Sequence, residues 1–202
     1  WMSNIQIFPD LKNKTANIKF NCNNATSKKI KAVIEIDICS FNGDKSHHPE
    51  KQQIAVEVLP GENIIEHAFV LGNQMLKWDE FEPNLYQLEA KLIRNNKIMD
   101  EAHRQFGMRE ISIQGKYIYI NGNKTVMRGT VENALFPLTG YPPMDVASWE
   151  RVFRICKSYG LNHMRFHSYC PPEACFIAAD KTGFYLQPEG PSWPNHSTQL
   201  GR

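Results

Sequence analysis

The chain has 202 residues, 42% of them hydrophobic and 22% charged, with a formal net charge of +2 at pH 7. That balance is the one expected of a soluble globular protein of one or two domains, and it gives no reason to invoke nucleic acid or a membrane surface as partner. The apolar runs are far too short to span a bilayer, and the opening Trp1-Met2-Ser3-Asn4 lacks the charged and then apolar pattern of a signal peptide.

Residues 1–106 contain no convincing helix. Asn17-Ile18-Lys19-Phe20 alternates, and residues 31–38 alternate more strongly, with Ala32, Ile34, Ile36 and Ile38 on one side. Residues 53–58, 64–71, 86–93 and 97–106 continue the pattern. Turn signals separate them at Asn42-Gly43-Asp44, Pro60-Gly61-Glu62 and Asn95-Asn96. Six or seven short strands at this spacing predict an antiparallel sandwich of immunoglobulin-like size, without the cysteine-tryptophan-cysteine signature of antibody domains. His47-His48 falls in a polar loop, where a solvated turn is expected in preference to a metal site. The five cysteines, Cys22, Cys39, Cys156, Cys170 and Cys175, show no metal spacing and are expected to be small buried thiols.

The pattern changes after Gly107. Residues 110–113 and 117–120 flank Gln114-Gly115-Lys116, and Asn121-Gly122-Asn123 follows, which predicts a β-hairpin. Met127-Arg128-Gly129-Thr130 reads as a short strand before a long loop. Asp145 is the expected N-cap of a helix carrying Val146, Trp149, Val152, Phe153, Cys156 and Tyr159 at helical spacing, with Trp149, Phe153 and Tyr159 as core and Gly160 as the stop. Residues 162–167 form the second strand. Pro171-Pro172-Glu173 opens a second helix that Gly183 closes, and residues 183–189 form the third strand. Strands alternating with helices predict a parallel sheet. Three strands and two helices neither close a barrel nor cover both faces of a sheet, so truncation before a fourth strand is expected.

Several patterns, in order from Trp78 to Glu189, resemble glycoside hydrolase family 2, the β-galactosidase, β-glucuronidase and β-mannosidase group. Trp78 followed by Pro83-Asn84-Leu85-Tyr86 resembles that family's Trp and Pro-x-Leu-Tyr; Phe106-Gly107-Met108-Arg109 resembles its Phe-Gly-x-Arg. Tyr119-Ile120-Asn121-Gly122, Met127-Arg128-Gly129, the run Gly160-Leu161-Asn162-His163-Met164-Arg165, and Asp180-Lys181-Thr182-Gly183 with Glu189 resemble the hairpin and first three barrel strands. The resemblance implies an immunoglobulin-like sandwich over residues 1–106. Residues 107–202 would be the N-terminal part of a (β/α)8 barrel truncated after strand 3. It also implies a retaining glycosidase with an oligo- or polysaccharide substrate, using two glutamates roughly 5–5.5 Å apart. Those glutamates belong to the fourth and seventh barrel strands, so this chain carries no catalytic residue and is expected to be inactive without the remainder of its parent chain. No cofactor or metal is implied. Export to the periplasm or the extracellular space would suit such an enzyme. The sequence departs from the family at Arg165-Phe166-His167-Ser168-Tyr169-Cys170, where Ser and His are exchanged, and at Val131-Glu132-Asn133, where β-galactosidases tend to carry a histidine-rich loop.

Polar residues at the ends of parallel strands mark a site more often than a core. Arg165 and His167 share one strand face and are candidate sugar ligands; the alternative is an ion-pair layer bracing the barrel, with Glu189. Glu189 itself is expected to be a partner of the ligands rather than a direct contact. Arg128 either faces the sugar or pairs with a carboxylate beneath the pocket. Glu132 and Asn133 face either sugar or water, and Trp193 either stacks on a sugar ring or covers the barrel mouth. The competing reading of the whole chain is a carbohydrate-binding or interaction module without catalysis.

Overall fold

A computed structural model describes residues 1–190. The chain divides into two compact units. One comprises Trp1–Trp78, Asn84–Ser112 and Ile120–Gly122; the other comprises Asp79–Pro83, Ile113–Tyr119 and the described residues from Asn123 onward.

The first unit is a two-sheet sandwich. Its strands are β1 (Met2–Asp10), β2 (Thr15–Asn24), β3 (Ile30–Ser40), β4 (Gln52–Val58), β5 (Gly61–Val70), β6 (Tyr86–Arg94) and β7 (Lys97–Phe106). They form sheets of order β1-β2-β5 and β4-β3-β6-β7, with every neighbouring pair antiparallel. Alternation decides what is inside. Ala16, Ile18, Phe20 and Cys22 of β2 join Ile34, Ile36 and Ile38 of β3 and Tyr86, Leu88 and Ala90 of β6 in one buried core. Asn95 and Asn96, both at positive φ (50° and 59°), make the tight β6–β7 turn whose twist matches the flanking strands. The sequence reading did not include β1. Its burial follows no strict alternation, and its pairing with β2 shifts register between Met2 and Asn4, which breaks the period of two.

Three short strands follow, β8 (Ile111–Gln114), β9 (Tyr117–Ile120) and β10 (Asn123–Thr125), in the order β10-β9-β8. The second unit then runs β11 (Gly129–Glu132), α1 (Val146–Ser158), β12 (His163–Phe166), α2 (Glu173–Thr182) and β13 (Tyr185–Pro188). β11-β12-β13 is a parallel sheet in sequential order. β11 begins one residue after Arg128, so the first strand lies two positions later than the sequence pattern suggested.

Asp145 caps α1, its carboxylate accepting from the Ser148 N–H at 2.8 Å. Trp149 and Phe153 are 1% and 0% exposed and stack on each other; Trp149 meets Phe166 edge-on and Phe153 stacks on Phe184. Tyr159, expected in that core, is 81% exposed. It is the C-cap (φ −93°, ψ 11°), where the backbone has left the helix and the side chain no longer follows the apolar stripe. Gly183 ends α2 in the left-handed conformation (φ 68°), and a Cβ there would meet the Glu80 carbonyl oxygen at 2.8 Å, so both backbone and space demand glycine.

His47 is also corrected. It is not in a solvated turn: it is 7% exposed, with its ring Nδ1 2.7 Å from the Tyr86 hydroxyl. Of the cysteines, Cys22 and Cys175 are buried as expected, whereas Cys170 is exposed; all five are free thiols.

Candidate active-site region

Parallel pairing sets the rows of this region. Gly129, His163 and Tyr185 are aligned across β11, β12 and β13, as are Val131, Arg165 and Gln187. Successive residues alternate faces, so these two rows share one face and Met164 and Phe166 point to the other. Met164 and Phe166 are buried with Trp149, Phe153, Ala174, Cys175 and Ala178 of the helices. The face bearing Arg165 receives no helix of this unit. Gly129 has a use here: a Cβ would come within 2.5 Å of His163 Nδ1.

At the carboxyl ends of β12 and β13 the polar residues meet. The Arg165 Nε–H donates to Glu189 Oε1 at 2.5 Å, and the Ser168 N–H donates to Glu189 Oε2 at 2.8 Å. Both oxygens of Glu189 are therefore held. The Ser168 N–H, followed by the Arg165 guanidinium, holds this carboxyl below the usual carboxylate range. Glu189 is an anion suited to orienting Arg165 and unsuited to giving up a proton. Ser168 reaches it from a left-handed backbone (φ 64°), a costly conformation for a residue with a Cβ. The terminal nitrogens of Arg165 make no hydrogen bond among the described residues, and its side chain is 41% exposed. His167 Nδ1 lies 3.1 Å from Asn133 Oδ1, and its backbone N–H donates to the Glu132 carbonyl at 2.9 Å.

Arg165, His167, Asn133 and Glu189 are thus brought to one edge. Glu132 is not. By alternation it shares the face of Phe166, and one of its carboxylate oxygens is buried with no hydrogen-bond partner among the described residues. Its charge acts on Cys175 of α2, whose thiol is pushed up to about 12, mainly by burial. Arg128 lies at the opposite, amino-terminal end of the strands. Its Nε donates to the Gly160 carbonyl at 2.6 Å, and its Nη2 pairs with Glu80 at 3.2 Å, the carboxylate partner that the sequence left as one option. Trp193 falls outside the described residues.

Sequence reasoning missed two supports, one at this edge and one at the amino-terminal end of the strands. The Ser168 N–H carries no side-chain signal and depends on a backbone twist. Asn162, buried, accepts from the Arg128 N–H at 2.8 Å and donates to the Val126 carbonyl at 3.0 Å, tying β12 to the start of β11. Its place in Gly160-Leu161-Asn162 was visible, its role was not.

An antiparallel sandwich followed by parallel β/α units with polar strand ends defines the architecture of the described residues. Residues 2–109 match the family model of glycosyl hydrolases family 2, and the chain belongs to that family. It is 29% identical over 120 residues to a β-galactosidase of Thermoanaerobacter pseudethanolicus, covering 58% of this chain and 16% of that enzyme. A Staphylococcus xylosus β-galactosidase is 28% identical over 143 residues, covering 71% of this chain and 13% of that enzyme. The chain therefore spans about a sixth or less of these curated relatives. Among solved structures, a family 2 member from Bacteroides cellulosilyticus superposes with a TM-score of 0.78 at 22% identity, over 94% of this chain and 26% of that one. A Parabacteroides merdae β-glucuronidase superposes with a TM-score of 0.73 at 18% identity, over 95% and 24% respectively. Among the described residues, no helix is long and apolar enough to cross a membrane.

Proposed function

We propose that this chain supplies the bracing sandwich and the first three strands of a (β/α)8 barrel in a retaining β-glycosidase of β-galactosidase-like type. Arg165, His167 and Asn133 would form part of its sugar subsite. The observation that carries the reading is the strand-end cluster: Arg165 is fixed by Glu189 while its terminal N–H groups make no hydrogen bond among the described residues and its side chain is part-exposed, at the edge where barrel enzymes build their sites. Such donors suit sugar hydroxyls, and a guanidinium locked by a carboxylate loses little freedom on binding. Glu189 positions Arg165 rather than touching sugar. Glu132 and Arg128 serve the scaffold, on the geometry above. Trp193 would be the aromatic platform for a sugar ring. The acid/base and nucleophile would come from later strands of the same barrel, so hydrolysis belongs to the full-length protein.

The test is a kinetic comparison in the full-length protein containing this chain, with aryl β-galactoside and aryl β-glucuronide substrates. Arg165→Met and His167→Ala should each lower kcat/KM by about 10²-fold or more on the preferred substrate, with unchanged circular dichroism. Arg128→Met should lower the melting temperature and leave kcat/KM of the folded enzyme near wild type. Equal kinetics in all four proteins would defeat the subsite. A protein that binds the sugars and hydrolyses neither would be a carbohydrate-binding module instead.

A further inference from the structure

The outward face of the β6–β7 pair, far in sequence from the strand-end cluster, holds a second group of ligand-type side chains. Glu89 of β6 and His103 of β7 are direct cross-strand partners, and Glu101 sits two residues before His103 on the same face. One donor atom from each of Glu89, Glu101 and His103 lies within 4.8 Å of the other two, and His103 Nε2 is 3.0 Å from Glu101 Oε1. We propose that this face binds one divalent transition-metal ion, with Glu89, Glu101 and His103 as its three protein ligands.

Three further facts support it. Zn²⁺ holds nitrogen and oxygen ligands at about 2.0–2.2 Å, so neighbouring donors around one ion stand roughly 3.3 Å apart. The imidazole and the Glu101 carboxylate are already close to that spacing. Second, carboxylates outnumber ammonium groups immediately around the cluster. Glu35, Asp37, Glu89 and Glu101 lie side by side across β3, β6 and β7, and Lys51 and Lys91 are the ammonium groups bonded among them. Four carboxylates stand against two ammoniums and the His48 imidazole bonded to Asp37, a local excess of negative charge that a divalent ion would reduce. Third, the cation now nearest can move. Lys91 Nζ is 2.7 Å from Glu89, but Lys91 is also the cross-strand partner of Glu35 on β3, so an entering metal can displace it without stranding its charge. The imidazole nitrogen directs the choice of ion: it favours Zn²⁺ or Ni²⁺ over Mg²⁺ or Ca²⁺, which take oxygen ligands. Bound there, the ion would clamp β7 to β6 and stabilise the sandwich in proportion to its occupancy.

The experiment is calorimetric titration of the 202-residue chain with ZnCl₂ in a non-coordinating buffer, with melting curves at each metal concentration. The expected result is one site and a rise in melting temperature with Zn²⁺. Affinity should fall about tenfold or more in His103→Ala and in Glu101→Gln, and rise in Lys91→Met. His48→Ala and Cys170→Ser, which remove other exposed donors, should bind as wild type. Both ligand substitutions lie on an exposed face, and the fold of each variant is checked by its metal-free melting curve. Wild-type affinity in His103→Ala overturns the proposal, as does absence of binding. Mg²⁺ binding as tight as Zn²⁺ also overturns it, because that is only an acidic surface. Ring signals of His103 that stay fixed while those of His48 or His67 move with Zn²⁺ overturn it independently.

Discussion

The two units bury their sheets differently. In the sandwich each sheet has one inward face filled by the opposite sheet, and Ile34, Ile36, Ile38, Phe20 and Leu88 are fully buried there without help from any other element. In the parallel unit α1 and α2 cover one face, while the other carries His163, Arg165 and Gln187. An antiparallel sheet tolerates one solvated face and outward side chains that are simply polar. A parallel sheet is normally buried on both faces, so polar residues on its second face mark either a site or a face meant for further strands. The comparison teaches where to look: the outward polar residues of the α/β unit, unlike those of the sandwich, are the ones on which the proposed subsite rests.

The largest effect expected from that contrast is separability. Phe153→Ala, at a position that is 0% exposed, should cost the α/β unit about 3–5 kcal/mol. Phe20→Ala should cost the sandwich about the same. Segment-resolved hydrogen exchange checks this. Phe153→Ala should lower protection across α1, β12 and β13 and leave β2, β3 and β6 close to wild type, with the reverse for Phe20→Ala. Equal loss of protection everywhere in either variant would mean that the two units form one cooperative block.

A medium effect is the acid sensitivity of the sandwich. The Leu76 N–H donates to the Tyr86 hydroxyl at 2.8 Å, so that hydroxyl turns its hydrogen toward His47 Nδ1, and burial holds the imidazole below its ordinary value of 6.5. His67, 2.8 Å from Gln52, is lowered for the same reason. A histidine with a folded value below its unfolded one takes up its proton more readily when unfolded. Its contribution is fully present above about pH 6.5 and is lost as pH falls through the folded value. Melting temperature should therefore fall between pH 7.5 and pH 5.5, and His47→Gln should flatten that fall. A sandwich more stable at the lower pH would contradict the assignment of His47 as neutral.

How much of this was legible follows from which interactions leave a period in the sequence. The faces of β2, β3 and β6 were readable because every second residue is apolar, and the same parity placed Arg165 and His167 together and away from Phe166. Asp145, Gly160 and Gly183 announced helix ends through cap chemistry. β1 was hidden by its register shift, and Tyr159 misled because helical spacing says nothing about where the backbone leaves the helix. Glu132 shows the limit on the site side. Starting β11 at Gly129 rather than two residues earlier decides how far Glu132 follows strand parity, and so which face it takes. His47 stood in a polar run, and only the fold supplied Tyr86, which is 39 residues away.

The smallest effect probes whether the site's backbone holds strain. Ser168 sits at φ 64° immediately after His167, and Ala134 sits at φ 57° immediately after Asn133. Two non-glycine residues in the left-handed region therefore follow two of the proposed sugar ligands, whereas the sandwich places its own positive-φ residues in turns. A left-handed residue with a Cβ costs roughly 1–2 kcal/mol, and glycine removes that cost while losing about 0.5–1 kcal/mol through its freer unfolded chain. Ser168→Gly should thus stabilise the α/β unit by about 0.5 kcal/mol, a gain readable by denaturant titration. It keeps the N–H that holds Glu189, so Arg165 should stay oriented. If the twist exists to aim that N–H, sugar affinity should fall slightly in Ser168→Gly even as stability rises, because the freer backbone samples other directions. Stability and affinity rising together would make the left-handed turn a plain loop closure, no different in kind from Asn95-Asn96 in the sandwich.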